Sequence, residues 1–219
     1  GSQQAQCVAQ AQIVQQTQIV PQAQIAPVGR AVPGVASIGN GHELTREWLT
    51  AAFRYRGYLG PHGEVTSVVL RPLTEGLGAL GDVLKVEVTL AGAAPSAPTR
   101  FVAKFAPQGR TPIPRFLVKH TFLSETHFYT DFDMEEGGLP RPECYFALAD
   151  LSRRKLTFVL LIEDMVPAHC FSRTAGCRDV EPLMSVMASL ARLHARWWGH
   201  PRGDPLEWAP HPNDYAGAG

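Results

Sequence analysis

The stretch Gly76-Leu77-Gly78-Ala79-Leu80-Gly81-Asp82-Val83 decides the fold that this sequence predicts. Directly after it, apolar residues alternate with polar ones over residues 84–90, which is the pattern of a half-buried strand. A dinucleotide-binding fingerprint has glycines at the same spacing, but it requires a helix at this position. The alternation therefore predicts a glycine-rich turn that leads into a strand.

The glycines of this turn, Gly76, Gly78 and Gly81, are candidate phosphate ligands. A residue without a Cβ lets backbone N–H groups approach phosphate oxygens closely and donate hydrogen bonds to them. Val83 would then cover an adenine ring. Because 20 of the 219 residues are glycine, an ordinary hairpin turn is the alternative interpretation.

Lys104 and Glu125 are the second pair of candidates. Lys104 lies in the short apolar stretch at 100–105, 21 residues beyond Val83. Glu125 follows after another 21 residues, on a helix predicted from just after Pro114 through Asp133. A carboxylate there can pair with the lysine and hold its ammonium group at the α and β phosphates of a nucleotide. Without such a partner, Lys104 would be an ordinary lysine on an exposed strand face.

A third set of candidates follows the apolar run at 156–162 and consists of Glu163, Asp164 and Met165. Directly after a buried strand, backbone N–H and C=O groups can pair with the polar edge of an adenine ring. The alternative is a strand end that turns acidic where it reaches solvent.

Six sequence blocks occur in the order found in a known family. They are TEGLG at 74–78, FVAKF at 101–105, FLSETHFY at 122–129, PRPECY at 140–145, LIEDM at 161–165 and LARLHARWW at 190–198. Over about residues 44–198 the chain resembles the ecdysteroid kinase-like and choline/aminoglycoside kinase-like phosphotransferases. The blocks around Glu125 and around the two tryptophans are the most specific to that group.

The resemblance implies an α+β fold. It would be a protein-kinase-like N-lobe, with a five-stranded antiparallel sheet plus a helix, followed by the first helix of a truncated C-lobe. It also implies that the candidate residues bind ATP with Mg, and that the family transfers a phosphate to a hydroxyl group of a small molecule.

Two functional segments of that family are missing from this sequence, namely the H-G-D-x-x-x-x-N catalytic loop and the D-x-[DE] metal-binding segment. Asp204 has Ala209 where the loop needs asparagine, and the stretch at 211–214 lacks the glycine and the spacing. We therefore expect no catalytic residue, no metal ligand and no turnover from this sequence as it stands. The alternative is a non-catalytic, kinase-derived structural subunit of a larger assembly.

The composition divides the chain into three regions: a Gln-rich arm at 1–42, the N-lobe at 43–165 and the start of the C-lobe at 166–219. The arm contains ten glutamines, its only charged side chain is Arg30, and Gln-Ile recurs every six residues at 12, 18 and 24. Such a segment buries too little apolar surface to offset its ordering entropy. We expect it to be disordered, or ordered only against a partner whose sheet it extends by a strand.

Local patterns predict the remaining elements. A helix is expected over 44–57, capped by Thr45, ended by Gly57 and burying the apolar stripe Trp48, Leu49, Ala52 and Phe53. Further strands are expected at 65–73, 144–149 and 155–162, with a loop at 91–99.

Two further helices carry stripes of their own. The helix that follows Pro114 and runs through Asp133 is expected to present Phe116, His120, Leu123 and His127 close to one stripe. The helix at 180–198 has apolar residues spaced for burial, but the sequence contains no obvious segment to cover them. The uncovered stripe predicts a partner chain, an aggregating fragment or a missing C-terminal half. With a partner chain, the structural alternative would dock through this helix and through the arm.

Composition limits the other partners. The formal net charge is zero, which offers no electrostatic attraction for nucleic acid, and no apolar run has the length of a membrane span. The four cysteines, Cys7, Cys144, Cys170 and Cys177, have no metal-ligand spacing, so we expect free thiols in a reducing compartment. The expected location is cytoplasmic, with an organelle as the alternative because the arm is poor in acidic residues.

Overall fold

The protein is described by a computed structural model, which covers residues 32–73, 81–107, 115–130, 141–150, 157–165 and 180–198. The fold is α+β, as predicted. Within these ranges the α-helices are α1 (Arg46–Tyr55), α2 (Arg115–Thr130) and α3 (Val180–Trp197), and a short 3-10 helix at Gly41–Glu43 precedes α1. The strands are β1 (Leu59–Pro72), β2 (Asp82–Ala93), β3 (Arg100–Phe105), β4 (Cys144–Asp150) and β5 (Thr157–Glu163).

The five strands form one antiparallel sheet, which confirms the prediction. Their order across the sheet is β1-β2-β3-β5-β4, so the first three strands are sequential neighbours and β5 inserts between β3 and β4. Side chains alternate between the two faces of the sheet, so each face can carry its own apolar core. Helix α1 packs on one face and α2 on the other.

Helix α1 forms where its capping signals place it. The Thr45 hydroxyl accepts a hydrogen bond from the Trp48 N–H at 3.2 Å, and Gly57 follows the helix with φ of 77°, a conformation that favours glycine. The four residues of the predicted stripe are all buried. The helix therefore has the start, the end and the buried face that its sequence predicts.

The core on the α1 side of the sheet is mostly apolar and rich in aromatic rings. Phe53 packs against Phe101, with ring centroids 5.7 Å apart, and Trp48 packs edge-on against Phe146 at 5.3 Å. Phe53 and Phe101 have no solvent exposure. The burial of large apolar and aromatic side chains such as these is the main driving force for folding of the domain.

Three residues from the region that composition assigns to the arm at 1–42 also contribute to this core. Val32, Val35 and Ile38 are buried in the same cluster as α1. The Trp48 indole N–H donates to the Ala36 carbonyl oxygen at 2.7 Å and so fixes the segment to the helix. The packed domain thus begins within the region that its composition assigns to the arm.

Helix α2 packs on the opposite face, but through a different stripe from the expected one. Its buried residues include Val118, Phe122, Thr126 and Tyr129. Of the expected stripe, His120 is exposed, Leu123 and His127 are half-buried, and the side chain of Phe116 lies outside the described residues.

The physical reason for this shift is a threonine that behaves as a core residue. The Thr126 hydroxyl donates to the Phe122 carbonyl oxygen one turn earlier, at 2.8 Å, so its polar group is satisfied inside the helix. Phe122 then packs on Phe158 of β5, with ring centroids 4.5 Å apart. A pattern that counts threonine as polar puts the buried face about one residue out of phase.

The β1–β2 ribbon is longer than predicted. Strand β1 begins at Leu59 instead of 65, and β2 continues to Ala93, into the expected loop at 91–99. The reason is a close backbone approach, since a Cβ on Gly63 would lie 2.7 Å from the Gly92 carbonyl oxygen. Glycines that suggest breaks in the sequence here let two strands run close together.

Helix α3 leaves its apolar side chains in solvent. None of the residues in this helix is buried, and Val180, Met184, Val186 and Met187 are each at least half exposed. The described part of the chain therefore does not cover the stripe. Among the described residues, no helix is both long enough and apolar enough to cross a membrane.

Candidate functional site

The sheet face that carries α2 brings several predicted site residues together. In the strand register Val83 of β2 lies opposite Lys104 of β3, and Lys104 lies opposite Leu160 of β5. Residues directly opposite each other point to the same face. Val83 and Lys104 are therefore neighbours on one face, as a shared site would require.

Lys104 and Glu125 form a bidentate ion pair. The Lys104 ammonium nitrogen, Nζ, lies 2.7 Å from each of the two carboxylate oxygens of Glu125. The side chains are 27% and 23% exposed, so the pair is neither in bulk solvent nor sealed in the core. Charge-assisted bonds of this length are the stronger kind, and they fix the ammonium group over the sheet.

The helix that carries Glu125 is anchored near its C-terminal end. The Arg141 guanidinium donates to the Phe128 carbonyl oxygen and lies over the rings of Phe128 and Tyr129, 5.2 and 5.5 Å from their centroids. A cation at this end of a helix also interacts favourably with the helix dipole. Burial, and secondarily the Glu125 carboxylate, raise the pKa of Tyr129 to about 12, so its hydroxyl stays neutral.

Gly81 has a structural role that the sequence interpretation did not include. Its φ is 140°, and a Cβ there would lie 2.4 Å from the Phe105 carbonyl oxygen and 3.3 Å from the Phe122 ring. This glycine is needed for close packing at the start of β2, whether or not it also contacts phosphate. Gly76 and Gly78, the other two predicted phosphate ligands, lie outside the described residues.

Strand β5 ends one residue later than expected, at Glu163. The first residue of the expected adenine-binding segment is therefore still part of the strand. Its N–H donates to the Glu143 carbonyl oxygen at 2.9 Å, and its carboxylate accepts from the Glu143 N–H at 3.2 Å. The N–H of Glu163 is thus already used within the protein. Asp164 and the exposed Met165 follow directly and are the remaining predicted residues of this segment.

A second ion pair on this face was missed by the sequence interpretation. Lys85 Nζ lies 3.8 Å from a carboxylate oxygen of Asp164, and the two side chains are 34% and 20% exposed. Lys85 lies opposite Val102, which in turn lies opposite Ile162. The position of Lys85, two residues after Val83 on the same side of the strand, was the signal that could have identified it.

The start of β4, next to this segment, is held by a buried arginine. Arg56 donates from Nε to the Tyr145 carbonyl oxygen at 2.8 Å and from Nη2 to the Cys144 carbonyl oxygen at 3.4 Å. Burial is the main cause, and the nearby Glu163 carboxylate the second, of a raised pKa for Glu143, while Arg56 opposes the shift.

Cys144 has a free and buried thiol whose pKa is raised to about 12, chiefly by burial. A thiol with such a pKa stays protonated at neutral pH and is a poor nucleophile. The other three cysteines lie outside the described residues.

No donor set for magnesium is seen in the part of the chain that the structure describes. Within these residues, no group of three or more His, Cys, Asp or Glu side chains is placed to hold a metal ion.

Comparisons of this chain with models of protein families, with curated proteins and with solved structures found no match. The functional interpretation therefore depends on the geometry of the Lys104–Glu125 pair and of the sheet face around it.

Proposed function

We propose that this chain is a nucleotide-binding lobe of the protein-kinase-like type. More particularly, we infer that it is the ATP-binding part of a phosphotransferase that acts on a hydroxyl group of a small molecule. A single observation carries the proposal. The ammonium group of Lys104, on the third strand of the sheet, is held by both carboxylate oxygens of Glu125 on helix α2. A strand lysine paired with a helix glutamate is the arrangement that positions nucleotide phosphates in kinases.

Each half of a nucleotide has residues suited to it. Lys104 would contact the phosphates, together with backbone N–H groups of the turn that contains Gly76 and Gly78. The half-buried side chains Val83 and Val102 offer an apolar surface for a base.

The Lys104–Glu125 pair is better explained by binding than by stability. An ion pair that is about one quarter exposed contributes little to folding, and apolar residues of similar volume are often as stable in such a place. An ammonium group held at a fixed position on this sheet face is, however, well suited to bind an anion. A pair of charges that adds little to folding stability is therefore more readily explained by a functional role.

We further infer that nucleotide binding by this lobe does not require the groups that transfer the phosphate. ATP would supply the phosphoryl group, but transfer also needs an aspartate base and magnesium ligands. The family resemblance places both beyond the helix at 180–198. The nucleotide-binding residues can be tested without them.

The test is a comparison of ATP affinity by isothermal titration calorimetry between the full chain and its variants. Lys104→Met and Glu125→Gln should each weaken ATP binding about tenfold or more, since each removes a charge-assisted contact or its support. Arg71→Met is the control, because Arg71 forms an exposed pair with Glu87 on neighbouring strands and should leave affinity unchanged. A wild-type chain that binds no ATP would refute the proposal.

A second candidate function, a non-catalytic structural subunit, is supported by helix α3. Six of its apolar side chains are exposed, as in a surface that another chain covers, namely Val180, Leu183, Met184, Val186, Met187 and Leu190. Light scattering coupled to gel filtration separates the candidates. A monomer that binds one ATP favours the nucleotide-binding lobe, whereas an oligomer without ATP affinity favours the structural subunit.

A further inference from the structure

We propose that the Lys85–Asp164 ion pair is a positioning device that fixes the base-binding half of the site, so that affinity for a nucleotide depends on it while affinity for bare polyphosphate does not. The proposal rests on the proposed function. It adds a pair of residues whose contribution neither the family resemblance nor the Lys104–Glu125 pair supplies.

The pair crosses the face of the sheet above Val102. Lys85 is on β2 and Asp164 follows the end of β5, with β3 between them. The two outer strands are about 10 Å apart, which is twice the ordinary strand spacing, so the side chains must extend over the middle strand to come within 3.8 Å. The contact thus ties the segment after β5 to the strand that carries Val83.

The phosphate-binding pair is held separately. Lys104 lies two residues along β3 from Val102, about 7 Å away, and its carboxylate partner comes from α2 instead of β5. Removal of Lys85 therefore leaves the bond between Lys104 and Glu125 in place. The two halves of the site can be perturbed one at a time.

Shielding from solvent distinguishes Lys85–Asp164 from an ordinary surface pair. Its side chains are 34% and 20% exposed, whereas those of Arg71 and Glu87, on the same ribbon, are 65% and 41% exposed. A shielded pair is less screened by salt and holds its geometry better. Arg71 lies directly opposite Lys85 in the strand register, so Arg71→Met controls for the loss of one positive charge on this face while it leaves the Lys85–Asp164 contact in place.

The experiment measures dissociation constants of the full chain for two probes, ATP and inorganic tripolyphosphate. Lys85→Met should weaken ATP binding about three- to fivefold, the range expected for one partly shielded ion pair. Its affinity for tripolyphosphate should change no more than that of Arg71→Met does. Lys104→Met should weaken both probes. The unfolding midpoint of each variant shows that it remains folded.

A double charge reversal tests the ion pair without changing the net charge. Lys85→Asp alone should weaken ATP binding more than Lys85→Met does, because it places two carboxylates together. The double variant Lys85→Asp with Asp164→Lys restores opposite charges and should recover most of the ATP affinity. Recovery of this kind is not expected if Lys85 contacts phosphate directly.

The outcomes separate the two proposals. If the wild-type chain binds neither probe, the proposed function fails, and this inference fails with it. If the wild-type chain binds ATP but Lys85→Met matches Arg71→Met for both probes, or if the charge-reversed double variant recovers nothing, only the positioning role is refuted. Selective loss of ATP affinity, together with recovery, supports it.

Discussion

The two faces of the central sheet are built on opposite plans. The face under α1 is a continuous apolar core, in which Phe53, Phe101 and Phe105 have no solvent exposure. The face under α2 combines a smaller core with the partly shielded ion pairs Lys104–Glu125 and Lys85–Asp164. The difference indicates a division of labour, with stability concentrated on one face and ligand-binding groups on the other. Substitutions on the two faces should therefore change different measurements.

The largest expected effect is on the α1 face. Phe101→Ala should lower the free energy of unfolding by about 3–5 kcal/mol, because it removes a fully buried ring that packs on Phe53 and Tyr145. Lys104→Met, the matched change on the other face, should cost about 1 kcal/mol or less. Urea denaturation measures both. Equal losses of stability would contradict the division between the faces.

An intermediate effect is expected at the start of β2, where the polar face meets the core. Gly81→Ala should destabilise the protein by about 1–3 kcal/mol, because the new Cβ would collide with the Phe105 carbonyl oxygen at an unfavourable φ. Gly60→Ala is the control, since a Cβ there meets nothing within 4 Å, and it should stay within about 0.5 kcal/mol. Thermal unfolding compares the two, and similar shifts would argue against the close packing at Gly81.

The smallest effect concerns pH at the edge of the sheet. Burial, and then Glu163, raise the pKa of Glu143 above its ordinary value of 4.5, so the folded state binds this proton more tightly than the unfolded state. The stabilisation is fully present below pH 4.5 and is lost as pH rises through the folded-state pKa.

Glu143→Gln should therefore be more stable than wild type at pH 7, and its advantage should disappear below pH 4.5. Unfolding midpoints measured across this range test the sign. A variant that is less stable than wild type at pH 7 would contradict it.

Local signals predicted the elements whose causes are local. The cap at Thr45, the stop at Gly57 and the alternation in β2 depend on neighbouring residues, so the sequence displays them directly. The spacing from Val83 to Lys104 to Glu125 also predicted which residues meet, because it places them on successive elements of one sheet and helix. The phosphate role of the glycine turn stays a prediction.

The features that were missed depend on distant parts of the chain. Val32 and Ile38 become core residues only because the far strands supply a surface for them, and uncharged residues near a Gln-rich region do not reveal this. The contact between Lys85 and Asp164 requires the order of β2, β3 and β5, which alternation alone does not determine. Which side of α2 is buried depended on Thr126, whose hydroxyl donates a hydrogen bond to a backbone carbonyl within the helix.

The docking of the first described segment has a consequence for synthesis. Ser37 donates a hydrogen bond from its hydroxyl to the carboxylate of Asp150 at the end of β4, 113 residues later in the chain, at 3.4 Å. Ribosomes add about 5–20 residues per second, so this partner emerges on the order of ten seconds after Ser37. The contact of this segment with helix α1 can form much earlier, because Trp48 follows Ala36 by only 12 residues. The segment can therefore dock on α1 early, whereas its hydrogen bond to the far edge of the sheet forms only once β4 has been synthesised.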